Sequence, residues 1–167
     1  FAMHHPEPQA GRILTTPQHY AYVRIAEGCD LHCTYCAIPS IRGPYRSRPM
    51  EEIIQECKQL VKQGVQELIL IAQDTSYYGK DLYGELQLAQ LLKCIAQDSG
   101  ARWIRVLYCY PERITDELLE TMASLDSVVP YLDMPLQHVD DTVLRVMGRP
   151  TSEAKIRTLL QRIARVG

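Results

Sequence analysis

The chain has 167 residues, 46% of them hydrophobic, and a formal net charge of -2. That length supports one domain with a real core and is short for two, and the near-neutral charge excludes a domain that holds nucleic acid by bulk electrostatics, which needs a concentrated basic face. No apolar run approaches the roughly 20 residues that span a bilayer.

The opening, FAMHHPEPQAGRILTTP, lacks the basic-then-apolar order of a secretory signal, so a cytoplasmic protein with no membrane partner is expected. It begins with Phe, which suggests a piece of a longer protein. Residues 1–19 mix proline, histidine and polar residues without periodicity and read as a linker or strap, with His4 and His5 as surface residues of it. From Tyr20 the pattern changes. YAYVRIA (20–26), ELILIA (67–72), RWIRVLY (102–108) and YLDMP (131–135) are rich in β-branched, aromatic and aliphatic residues, as buried parallel strands are.

Helices fill the gaps. RPMEEIIQECKQLVKQG carries Pro49 and two glutamates at its start, lysines late and Gly64 as a stop. Ile53, Ile54, Cys57, Leu60 and Val61 make one apolar face, so Cys57 reads as core. ELQLAQLLKCIAQDSG (85–100) repeats the design, with Cys94 on the flank of its stripe. Thr115 is placed to cap a helix through Met122, DDTVLRVM makes a short helix closed by Gly148 and Pro150, and Thr151 or Ser152 caps a last helix through about Val166. Four β-α units in succession demand right-handed crossovers and a parallel sheet. A complete (β/α)8 barrel takes roughly 200 residues or more. The expected fold is therefore α/β: one domain, residues 20–167, forming a partial, open β/α barrel that stops after about four units.

CDLHCTYC puts Cys29, Cys33 and Cys36 just after the first strand, at the carboxyl end where parallel α/β folds keep their sites. Three thiolates can ligate three irons of a [4Fe-4S] cubane and leave the fourth iron open. Two other readings stand beside it. The thiols can belong to a zinc site completed by His32, Cys109 or His138, which would make the chain a zinc-stabilised interaction domain without turnover, or they can be inert. If the strands are parallel, their ends also bring Gln73, Asp74, Thr75 and Ser76, then Tyr108 to Tyr110, then Asp133, Gln137 and His138 to the same rim. Asp74 and Thr75 equally suit a capped turn. Arg105 shares one face of its strand with Trp103, so an inward guanidinium would need a partner, a ligand carboxylate among the candidates. Arg42, Arg46 and Arg48 form a small cationic loop suited to a carboxylate.

CDLHCTYC, with Tyr35 before its last cysteine, resembles the CxxxCxxC pattern of radical S-adenosylmethionine enzymes. The wider stretch YAYVRIAEGCDLHCTYCAIPSIRGPYRSRP is similar to the methylthiotransferase branch, and QDTSYYG (73–79), YCYP (108–111) and DMPLQH (133–138) resemble the members that modify an aspartate of a small-subunit ribosomal protein, more than the tRNA-modifying members. The resemblance implies a [4Fe-4S] cluster on Cys29, Cys33 and Cys36. It also implies S-adenosylmethionine bound near Gln73, Asp74, Thr75, Arg105, Gln137 and Tyr35, and methylthiolation at the aspartate β-carbon after reductive cleavage of the cofactor. It further implies a ribosomal-protein partner, a reductant such as flavodoxin, and two domains outside this chain: an amino-terminal one with a second cluster and a carboxyl-terminal one that binds substrate. The isolated chain is then expected to be inactive and to lose its cluster in air, because its three thiols are expected to be exposed and acidic.

Overall fold

The computed structural model of the chain describes residues 14–166. His4 and His5 lie outside the described residues, as does most of the strap read at 1–19. Strand β1 (Tyr20–Arg24) leads into a two-residue strand β2 (Ala26–Glu27), and the cysteine loop follows. That loop ends in a short helix α1 (Ile38–Arg42) and returns through β3 (Arg46–Ser47), which pairs antiparallel with β2. Helix α2 (Met50–Lys62) then delivers the chain to β4 (Glu67–Ile71). A 3-10 turn at Thr75–Tyr77, a short helix α3 (Lys80–Tyr83) and helix α4 (Leu88–Asp98) precede β5 (Trp103–Val106). Helix α5 (Asp116–Ser124), capped by the Thr115 side chain accepting from Leu118 N, leads to β6 (Val128–Leu132), and α6 (Asp141–Val146) and α7 (Glu153–Val166) close the described chain.

β1, β4, β5 and β6 form one parallel sheet in that order, with Tyr22 opposite Ile69 and Ile69 opposite Arg105. This is the open β/α arrangement expected from the sequence. Its helix-facing side carries Ala21, Val23, Leu68, Leu70, Ile104 and Val106, all fully buried against Ile53, Cys57 and Leu60 of α2 and Leu91, Leu92 and Ile95 of α4. Each large aliphatic side chain buried there contributes about 1.5–3 kcal/mol. Cys57 is core, as its place in the apolar stripe predicts.

The opposite side of the sheet has no helical layer among the described residues. Tyr22, Trp103 and Tyr131 are exposed there. Arg105, in mid-sheet, bonds Glu67 Oε1 through Nε at 2.6 Å and lies 5.3 Å from the ring centre of Tyr131. The partner that an inward guanidinium requires is thus a neighbouring strand's carboxylate.

Three local differences from the sequence reading have simple causes. β6 starts at Val128 and ends at Leu132, earlier than 131–135, because Pro130 is tolerated in a strand at the sheet's edge, with a register shift against β5. The second long helix begins at Leu88 because Gly84 turns the chain in a left-handed conformation just before it. Residues 75–83, to which the sequence reading assigns no helix, are folded into the 3-10 turn and α3, which Asp81 hooks to β3 by accepting from Ser47 N at 2.8 Å and Ser47 Oγ at 2.6 Å.

Candidate active site

The cysteine loop leaves β2 through Gly28, whose φ of +86° and surroundings admit no side chain: a Cβ would lie 2.2 Å from the Pro44 carbonyl oxygen. Gly28 N donates to Gln73 Oε1 at 2.7 Å, Cys29 N to Gly43 O at 3.2 Å, and Tyr45 N to Asp30 Oδ1 at 2.9 Å. The loop is therefore pinned to its own return segment and to the end of β4. Leu31 N reaches the Cys29 sulfur at 3.4 Å, and Cys36 N closes a turn on Cys33 O at 3.0 Å.

Cys29 and Cys36 line a cleft of about 340 Å³ together with Arg24, Ile71, Gln73, Tyr108 and Tyr110. Because these residues end or follow β1, β4 and β5, the cleft sits at the carboxyl ends of the parallel strands, where the sequence placed the rim. The three thiols are less open than expected. Cys29 and Cys33 are each only 6% exposed, and only Cys36 is exposed. Burial, with a smaller contribution from the Asp74 charge, pushes the Cys29 thiol above its ordinary value although Leu31 N and Arg113 oppose it. The expectation of three exposed thiols is corrected for Cys29 and Cys33, and that of acidity for Cys29.

Gln73 faces the cleft, whereas Asp74 and Thr75 turn inward. Asp74 is fully buried: its carboxylate accepts from Ser76 Oγ at 2.7 Å and pairs with Arg113, whose guanidinium stacks 3.6 Å from the Tyr77 ring centre. Burial outweighs both partners and raises its pKa to about 6. Thr75 Oγ1 donates to Leu107 O and Thr75 N to Tyr108 O, while Tyr110 N donates to Ser76 Oγ. The QDTS turn thereby fixes the segment after β5. In that segment Tyr108 adopts φ +62°, a left-handed conformation that is costly for an aromatic residue, with its N–H held by Asp133 Oδ2 at 2.9 Å. Tyr110, raised to about 12 by burial and then by Cys29, forms the other aromatic wall.

The remaining sequence candidates scatter. Tyr35 is exposed on the loop beside Cys33. Gln137 is exposed in a left-handed conformation, and His138 accepts from Asp140 N through Nδ1 at 2.9 Å. Arg42 and Arg48 are engaged by Glu27 at 2.9 Å and Glu56 at 2.7 Å. Cys109 is fully buried in the hydrophobic core and its thiol is pushed far up by burial. Among the described residues, no three His, Cys, Asp or Glu side chains converge as ligands of a single ion. That argues against the closed zinc site. It suits a cubane, which takes each thiolate on a different iron and so spreads its ligands.

Arg149 was not singled out from the sequence. It follows α6, yet its buried guanidinium lies beside Cys33 and 4.3 Å from the Tyr110 ring centre. Burial pushes this guanidinium down, but Glu112 and then Cys33 outweigh it and hold it charged. Only a long-range contact reveals it; GRP after a short helix reads as a helix stop.

The description "Radical SAM superfamily" fits residues 23–167 by family model. The chain is 54% identical over 155 residues to the ribosomal protein uS12 methylthiotransferase RimO of Clostridium tetani (strain Massachusetts / E88), covering 93% of this chain and 35% of that protein. It is 53% identical over 152 residues to the protein of the same name from Desulforamulus reducens, covering 91% and 34%. The chain thus spans about a third of the length of these curated relatives. Among solved structures it is similar to the radical S-adenosylmethionine methyltransferase TsrM from Kitasatospora setae, bound to tryptophan and a SAM analog, with a TM-score of 0.68 at 15% identity over 90% of this chain and 29% of that one. The cobalamin-dependent S-adenosylmethionine radical enzyme OxsB gives 0.67 at 14% identity, covering 87% and 22%. These two show a shared fold.

Proposed function

The chain belongs to the radical SAM superfamily, and on that premise we propose that it is the cofactor-holding core of an enzyme that methylthiolates an aspartate of ribosomal protein uS12. One observation carries the reading: three cysteines in CxxxCxxC spacing on one loop, two of them lining a cleft at the strand ends. The relatives' common name supports the substrate.

In this reading Cys29, Cys33 and Cys36 hold a [4Fe-4S] cluster. Such a cluster, when bound, would supply a site for S-adenosylmethionine and the electron for its reductive cleavage. The chain's own residues bind and orient. Gln73 steadies the loop through Gly28 N and offers its amide to the cleft. Asp74 and Thr75 act from beneath by holding the turn and the Tyr108 backbone. Tyr35 flanks the cofactor from the loop, and Gln137 and Arg105 belong to the surfaces that a longer chain would close over it. Ile71, Ala72 and the two tyrosines give the cleft apolar walls that limit water.

Residues 1–19 act as a strap and 20–167 as the core domain. The second-cluster domain, the substrate-binding domain and the docking site for a flavodoxin-type reductant belong to the rest of the enzyme. Among the described residues no helix is long and apolar enough to cross a membrane; the proposed ribosomal substrate implies a cytoplasmic site of action.

The test is anaerobic reconstitution with iron and sulfide, followed by reduction with S-adenosylmethionine present and measurement of 5'-deoxyadenosine. The chain is expected to be inactive as a methylthiotransferase, so the readout is cofactor cleavage alone: release above background is expected, with loss to background in Cys33→Ala. Product formation indifferent to that substitution, or a chain that binds one zinc and no iron when handled without oxygen, would overturn the reading.

A further inference from the structure

The cysteine loop is gripped from a second side, by the turn that follows α6. Thr34 N donates to Met147 O and Thr34 Oγ1 to Val146 O, both at 3.0 Å. Gly148, at φ +68°, brings its backbone so close that a Cβ there would lie 3.0 Å from the His32 carbonyl oxygen and 3.7 Å from Cys33 Cα. The next residue, Arg149, has a side chain 0% exposed. Its Nη2 donates to the Pro135 carbonyl at 3.4 Å and forms an ion pair, without hydrogen-bond geometry, with Glu112 Oε1 at 3.4 Å, and its Nε and Nη1 have no hydrogen-bond partner. Neither Glu112 oxygen has one either.

A buried guanidinium with idle donors is costly, and an apolar side chain would fill the same space without that cost. Its surroundings show what would use the charge: Cys33 on one side and the ring of Tyr110, a wall of the cleft, on the other. We propose that Arg149 is a positioning residue of the cluster site, whose fixed positive charge orients the Cys33 thiolate and stabilises the more negative, reduced state of a [4Fe-4S] cluster. The inference rests on the reading of the cysteine loop given above. Cations and hydrogen bonds near the sulfurs of a cluster favour its reduced form and raise its potential. Glu112 acts in the opposite sense and trims the effect.

The chain is reconstituted anaerobically, and its midpoint potential is measured by redox titration followed by electron paramagnetic resonance, with iron per chain and circular dichroism as controls. Arg149→Gln is expected to shift the potential to more negative values, and Arg149→Lys to restore much of it. Glu112→Gln keeps the guanidinium, removes the opposing charge and is expected to shift the potential the other way, so it decides the matter if Arg149→Gln fails to fold or load. A loaded wild type whose folded variants share its potential, or a positive shift in Arg149→Gln or a negative one in Glu112→Gln, overturns the inference alone. A wild type that takes up no iron overturns the cluster reading and the inference with it.

Discussion

Asp74 shows how single residues set the character of this rim. Its carboxyl is fully buried yet carries a guanidinium partner, and its pKa stands at about 6, above the ordinary carboxylate value. The unfolded chain titrates this group near 3.9. Between those two values the folded state binds the proton more tightly than the unfolded state. For this group, folding is therefore favoured as pH falls from about 6 to about 4, and the burden of the buried charge is fully present above about 6. Other carboxylates act in the opposite sense, so the group is isolated by comparison with Asp74→Asn. That variant loses an ion pair at every pH, but Arg113 keeps its stack on Tyr77. We expect the stability difference, wild type minus variant, to fall by up to about 3 kcal/mol between pH 4 and pH 7, measured by urea unfolding across that range. A difference that does not vary with pH would sink the assignment.

The element that matters most is the loop from β2 to α1, because it is held at both ends by contacts that leave no room. At Gly28 the obstructing atoms are backbone, the Gly43 and Pro44 carbonyls, and cannot swing aside. Gly28→Ala adds a methyl group to that contact and a strained φ. We expect a loss of about 3 kcal/mol or more, read by thermal unfolding, together with reduced iron uptake on reconstitution; an alanine variant as stable as the parent would show that the loop is not locked there. Much of this level was legible in the sequence. The aliphatic runs gave away β1, β4 and β5, and the stripe through Ile53, Cys57 and Leu60 gave away α2, because burial writes its period into the residues. α1 escaped because five residues carry no stripe, and none of them is buried. The β2–β3 pair escaped because two residues on each side are too few to show alternation. At the cleft, the positions of Cys29, Cys36 and Gln73 at the strand ends were legible from spacing and strand order. The inward turn of Asp74, the strained Tyr108 and the approach of Arg149 to Cys33 were not, because each is decided by contacts between segments far apart in the chain.

At the scale of the whole molecule, the described residues finish the sheet on one side only. α2 and α4 seal one face, while the other presents Tyr22, Trp103, Tyr131 and the Arg105–Glu67 pair, a mixture of aromatic surface and a partly buried salt bridge that suits the interior of a curved barrel more than a solvent-facing plane. β6 borders that face at the edge of the sheet, with no strand beyond it among the described residues. The chain spans about a third of its curated relatives, and an added strand would have to pair at an edge of this sheet such as β6. Trp103 reports on whether this face is covered, because it is the only tryptophan and is 45% exposed. If a longer protein carries β-α units that close over this face, a Trp103 retained as its only tryptophan should be less accessible to acrylamide quenching and emit at shorter wavelength there than in the 167-residue chain. If its accessibility is unchanged, the added units do not close over this face, and the open sheet must be covered by something else or work uncovered.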